Sequence, residues 1–147
     1  MMEKALRKTL KNGKFSGVSV TRSKAMSAVK GKGNKTTEVR FRLALVRSGI
    51  SGWKMHESGI IGKPDFYFPV QKIVIFIEGC FWHGCPKCGH IPKTNTEYWR
   101  EKIARNKKRD KSITRKLRYR NYKVIRIWEH ELKDGINRRV REFINAI

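Results

Sequence analysis

The apolar positions change period several times along the chain, and each change marks a predicted element. Between Thr36-Thr37 and Gly49, Val39, Leu43 and Val46 recur at i, i+4 and i+7, the spacing of one helix face. Glu38 falls in the first turn, where negative charge suits the helix dipole. Three strand-like segments follow: Trp53 to His56, Asp65 to Phe68 and Ile73 to Ile77. The last is a near-continuous β-branched run, as in a central strand covered on both faces. Helical spacing returns from Thr96 to about Tyr119, with Trp99, Ile103, Ile113 and Leu117 inward. Lys123 to Trp128 reads as a further strand and Ile136 to Ile147 as a closing helix. Nearer the start, Ser23 can cap a short helix through Met26 and Val29, ended by Gly31-Lys32-Gly33. Residues 1 to about 20 read as a basic, flexible arm. The expected fold is α/β, a single domain over residues 21–147 around a small mixed sheet.

Charge changes this picture more than length does. Lys and Arg total 35 against 12 acids, a formal net charge of +23. Such a cation binds phosphate backbones by releasing counterions, and its interleaved aromatics favour nucleic acid over an amphipathic membrane stripe. No segment approaches the roughly 18 apolar residues of a membrane span. A cytoplasmic location, associated with DNA, is the expectation. Three cysteines in such a chain point to metal sooner than to disulfides.

All three lie within Glu78–His90, EGCFWHGCPKCGH, directly after the central strand. Cys80, Cys85 and Cys88 read as C-x4-C-x2-C, with Cys85 to Gly89 resembling a zinc knuckle. A distant fourth ligand is needed; His130, in the Trp128-Glu129-His130 strand end, is the choice, with His90 the less suited alternative. His83, in the same loop, has three readings: a zinc ligand, a phosphate contact, or a base beside acids. Phe81 and Trp82, adjacent on a glycine-flanked loop, suit stacking on or wedging between bases. If Asp65 to Phe68 and Ile73 to Glu78 pair through a turn at Gln71-Lys72, facing residues sum to 143. Asp65 then opposes Glu78 about 5 Å apart at Cβ. Two such carboxylates call for a cation, and Mg²⁺ is the natural one.

The segments GKPDFYF, VIFIEGCFWHGCPKC, PKTNTEYWREKIARNKKRD and VIRIWEHEL, with TRSKAMSAVKGKGNKTTE before them, resemble the very short patch repair (Vsr) endonucleases. These belong to the PD-(D/E)xK nuclease superfamily. The resemblance runs in order from about Thr21 to Leu132. It implies a restriction-endonuclease-like three-layer sandwich with a structural zinc, and a Mg²⁺-dependent enzyme nicking duplex DNA 5′ of the thymine in a T:G mismatch. By motif, Asp65 would be the main Mg²⁺ ligand, with Glu78 at the superfamily's second acid. His83 would be the catalytic histidine, and Glu38 the helix acid that helps place a water or the His. Phe81, Trp82 and Trp99 match positions that enter the base stack. Cys80, Cys85, Cys88 and His130 fall at the zinc positions. Lys102, Arg105, Lys107, Lys108 and Arg109 would clamp the DNA backbone. Two departures stand out: Glu78 replaces a His of well-known members, and His130 replaces a Cys. The superfamily's lysine position is Cys80 here, which places more of the chemistry on His83. A monomer is the family expectation, and repair proteins are conceivable partners. Competing readings are a nuclease of this fold without mismatch choice, and a zinc-stabilised DNA-binding module without catalysis.

Overall fold

The computed structural model describes residues 10–11, 14–15, 35–134 and 136–146. The helix expected from Ser23 and most of the basic arm lie outside the described residues. Within the arm, β1 (Leu10–Lys11) and β2 (Lys14–Phe15) pair as a small antiparallel hairpin.

The remaining order is α1 (Lys35–Arg47), β3 (Lys54–Met55), β4 (Phe66–Phe68), β5 (Ile73–Glu78), α2 (Thr96–Tyr119), β6 (Lys123–Trp128), α3 (Glu129–Asp134) and α4 (Ile136–Ala146). The strands form one sheet in the order β3-β4-β5-β6, antiparallel except for the parallel β5–β6 pair. The sheet is mixed and small, as expected. β5 occupies an interior position, and five of its six residues are buried.

Side chains alternate across a strand, so β5 sends Ile73 and Ile75 one way and Val74, Phe76 and Glu78 the other. On the first face Phe66, Phe68, Ile73, Ile75 and Ile127 pack with Phe41 and Leu45 of α1, Leu132 of α3 and Phe143 of α4. On the second, Val74 and Phe76 pack with Leu117 and Ile113 of α2 and with Ile60 and Ile61. Helices thus cover both faces of an α/β sheet.

Three expectations need correction. In α1 the stripe Val39, Leu43, Val46 is exposed, while Thr37, Glu38, Phe41 and Leu45 are buried. Phe41 and Leu45 share a stripe of equal helical spacing but fill more volume, so that face wins the core. The hairpin register pairs Phe66 with Ile75 and Tyr67 with Val74, so facing numbers sum to 141. Residues 69–72 form the connection, with Pro69 unable to donate to the ladder and Lys72 in left-handed backbone at φ 52°. A slip of two residues preserves the face, so Asp65 and Glu78 remain on one side but are not opposite. Finally, the expected strand end at Glu129-His130 is the first turn of α3. The Glu131 carboxylate accepts the Trp128 N–H at 2.8 Å, capping that turn.

Candidate active site and metal centre

Where the apolar packing on the second face ends, its strands supply charge. Asp65 just before β4, Glu78 at the end of β5 and Arg126 in β6 line a cavity of about 510 Å³ with Trp82, His83, and Asn106, Arg109 and Asp110 of α2. Asp65 and Glu78 are each 5% exposed. The Asp65 carboxylate accepts the Ile77 N–H at 2.7 Å, which fixes it against β5. Glu78 is ion-paired with the Arg126 guanidinium. That guanidinium also donates to Thr114 Oγ1 (2.9 Å) and the Asp110 carbonyl (3.0 Å), and stacks over the Phe76 ring at 4.5 Å. Arg126 therefore ties the sheet to α2.

His83 meets a partner that sequence reading did not name. Its Nδ1 lies 2.6 Å from Asp110 Oδ2, so Nδ1–H donates to the carboxylate and Nε2 is left as the lone-pair nitrogen. Burial opposes ionisation of Asp110, but the hydrogen bond from His83, with the charges of His83, Arg126 and Arg109, holds its carboxyl below the ordinary range. The signal was present: Trp99, Ile103, Asn106, Asp110, Ile113 and Leu117 follow one 4-3-4-3-4 stripe, with two polar residues at inward positions. Asn106 uses its position to donate to the Trp82 carbonyl at 2.9 Å, fastening the loop to α2.

Among the described residues, the metal-capable groups do not join Asp65 with Glu78. Glu38, His56 and Asp65 form one, and Glu78, His83 and Asp110 another, each with ligand atoms mutually within 4.8 Å. His56, also unnamed from sequence, has Nε2 at 3.0 Å from Glu38 Oε2.

The cysteine loop converges as expected. Cys80, Cys85, Cys88 and His130 place their ligand atoms mutually within 4.8 Å, while His90 packs against the Phe81 ring instead. The three sulfurs lie 3.3, 3.6 and 3.4 Å from His130 Nδ1. Burial and a hydrogen bond with Cys88 push the Cys80 thiol up to about 12. Burial also opposes ionisation of Cys85, yet the backbone N–H groups of Cys88 and Lys87, together with the Cys88 and Cys80 thiols, outweigh it and bring that thiol down. Backbone amides aimed at a thiolate are what a zinc knuckle requires, so the Cys3His set could hold a metal such as zinc. Gly89 permits the turn: a Cβ there would lie 2.5 Å from the Cys85 carbonyl oxygen.

Phe81, Trp82, Trp99 and Tyr98 build an edge-to-face cluster with centroids 5.1 to 5.7 Å apart. Trp99 is its buried base, while Phe81 and Trp82 are half-buried. The Trp82 indole N–H is buried with no hydrogen-bond partner among the described residues. Lys102 sits 5.3 to 5.6 Å over the Trp82, Tyr98 and Trp99 rings, a cation–π brace. Arg105, Lys107, Lys108 and Arg109 are exposed along the same helix.

The family model of the DNA mismatch endonuclease Vsr matches residues 18–88. The DNA mismatch endonuclease Vsr of Escherichia coli is 32% identical over 134 residues, covering 84% of this chain and 83% of that protein. The chain belongs to the Vsr endonuclease family. Other relatives are named nicking enzymes. The type II nicking enzyme V.NmeAIP of Neisseria meningitidis serogroup A is 42% identical over 118 residues, 75% of this chain and 83% of the relative. V.NaeI of Lentzea aerocolonigenes is 39% identical over 120 residues, 78% and 72% respectively. Family membership makes the chain a nuclease and DNA its substrate, and no described helix is long and apolar enough to cross a membrane.

Proposed function

We propose that the protein is a Mg²⁺-dependent endonuclease that nicks duplex DNA on the 5′ side of the thymine in a T:G mismatch. The observation carrying the reading is the His83–Asp110 pair facing the cavity that Asp65 and Glu78 also line. With Nδ1–H committed to Asp110, His83 Nε2 takes a proton from water as the oxygen attacks phosphorus and the bond to the 3′ oxygen breaks. Asp110 keeps the imidazole in that tautomer and stabilises the imidazolium that forms. The carboxylate of Asp65, with Glu38 beside it, would hold Mg²⁺, which would supply positive charge against the scissile phosphate, while Glu78 lines the same cavity paired with Arg126. Zinc at Cys80, Cys85, Cys88 and His130 would brace the His83 loop, within a restriction-endonuclease-like sandwich. Arg105, Lys107, Lys108 and Arg109 would clamp the backbone.

Selectivity would come from Phe81 and Trp82 entering the stack above Trp99, since unstacking costs less at a mismatch than at a paired step. An indole N–H buried without a partner costs about 1–3 kcal/mol, which lowers the cost of moving Trp82 out of its cluster. The test is nicking of T:G against perfectly paired duplex, with the cut position mapped. Trp82→Ala should reduce mismatch preference more than binding to random duplex, and equal losses would overturn the wedge. The nicking-enzyme names among the relatives favour one alternative, nicking without mismatch choice. Equal cutting of paired duplex would establish it, and no cutting in Mg²⁺ would leave a DNA-binding module.

A further inference from the structure

We propose that Arg126 is a catalytic residue of the cleft: its guanidinium holds a non-bridging oxygen of the phosphate being cut and opposes the charge that builds there. The assignment rests on the nuclease reading above and adds a substrate contact to it. Asp65, Glu78 and Asp110 all line the cavity, and a DNA phosphate must enter beside these carboxylates. Of the lysines and arginines in the same lining, Lys63 and Arg109 are exposed, whereas the Arg126 side chain is only 21% exposed. Arg126 is also held beside the base. Glu78 Oε1 accepts from Arg126 Nη1 and lies 3.9 Å from His83 Nδ1. Asp110 offers Oδ2 to His83 at 2.6 Å and its carbonyl oxygen to Arg126 Nη2 at 3.0 Å. The fixed cation and the imidazole thus hang from the same two acidic residues, so a phosphate that reaches one also meets the other.

The donor count leaves room for that phosphate. A guanidinium has five N–H groups in a planar fork. Nε–H goes to Thr114 Oγ1 at 2.9 Å, one Nη1–H to Glu78 and one Nη2–H to the Asp110 carbonyl, with the Phe76 ring 4.5 Å beneath. One N–H on each Nη therefore has no acceptor among the described residues, on a group already fixed in place. Such a fork matches phosphate oxygens and keeps its charge throughout the reaction. Arg126 neither gives nor takes a proton, so the proton removed from water still goes to His83. A donor set in position before charge develops needs no rearrangement as the bond to phosphorus forms.

The experiment maps the wild-type cut on a T:G duplex, then places a methylphosphonate at that linkage, which removes its charge and one non-bridging oxygen. Binding is followed by fluorescence anisotropy with zinc-loaded full chains and no Mg²⁺, so that no cutting intervenes. Wild type should bind the phosphate duplex about tenfold tighter than the methylphosphonate duplex, the worth of a charge-assisted contact. Arg126→Met alone would leave Glu78 buried and unpaired, so the decisive comparison is Glu78→Gln against Glu78→Gln with Arg126→Met. The single variant should keep the tenfold difference and the double variant should lose it. A methylphosphonate several linkages away should affect all three chains alike. Single-turnover nicking in Mg²⁺ should fall about 10²–10³-fold from the single to the double variant. Circular dichroism and zinc content check folding. If the double variant does not fold, Arg126→Lys in the Glu78→Gln background decides: a point charge without the fork should lose part of both effects, and full retention overturns the assignment. So does a difference that survives in the double variant, is already absent in Glu78→Gln, or disappears equally at the distant linkage. Each of those results leaves the nuclease reading standing while the wild type cuts. A wild type that cuts no duplex in Mg²⁺ overturns the nuclease reading, and the assignment falls with it.

Discussion

Ile73, Ile75 and Ile127 point to one face of the sheet, where they pack among Phe41, Leu45, Phe66, Phe68, Leu132 and Phe143. Val74, Phe76 and Arg126 point to the other, where apolar packing gives way within one strand length to Glu78, Asp110 and His83. The same strands, read on alternate residues, build a core on one side and a charged cleft on the other. Hydrophobic burial on the first face stabilises the fold without constraint on chemistry. On the second, buried charges are tolerated only because each is matched.

Breaking that comparison gives ordered expectations. The largest effect concerns the cleft: His83→Ala should lower nicking by about 10²–10⁴-fold, the usual worth of a positioned acid–base group, with little change in melting temperature. Single-turnover rates and thermal denaturation on the same samples check both halves. On the apolar face Phe66→Ala should cost about 3–5 kcal/mol of stability in urea unfolding, while activity per folded molecule survives. Arg126→Met should cost a similar 3–5 kcal/mol by leaving Glu78 buried and unpaired. If the pair serves function and not stability, Glu78→Met with Arg126→Met should restore stability to near wild type, or raise it by about 1–4 kcal/mol, without restoring nicking.

A smaller effect is pH-dependent. Asp110 is held below the ordinary carboxyl range, so the folded state favours its charged form. That contribution is complete above the unfolded carboxyl value of about 4 and is lost as pH falls through the lower folded value. Asp110→Asn should therefore flatten the acid limb of a stability–pH curve below about pH 4; an unchanged limb contradicts the assigned pairing. Smallest of all, Lys108→Ala should weaken DNA binding evenly across sequences and reduce the slope of log K against log salt by about one.

What the sequence revealed follows the same division. α2 and the body of β6 were readable because their periodicity is uninterrupted. The Cys3His set was readable because thiolate spacing is specific. The inner face of α1 was misread because a stripe of aliphatic residues looked apolar enough, while Glu38 sits in the true inner stripe and Phe41 outweighs Val39. Asp110 was missed for a related reason: a polar residue in a charged helix looks solvated until the helix turns it inward, while His56, still exposed, was missed because only the fold brings it to Glu38. Register was the remaining gap, since the connection from Pro69 to Lys72 shifted the pairing by two and left Asp65 no longer opposite Glu78.

The loop from Cys80 to Cys88 is anchored from later chain on two sides. Asn106 holds it from α2, where Lys107 also crosses Gly84 so closely that a Cβ there would sit 2.4 Å from its side chain. His130 meets its sulfurs from α3. A growing polypeptide that has emerged only as far as α2 already carries Asp65, His83 and Asp110, but neither Arg126 nor His130. The cleft and its loop are thus completed only by the last strand and the turn after it, which bring Arg126 to Glu78 and His130 to the three sulfurs.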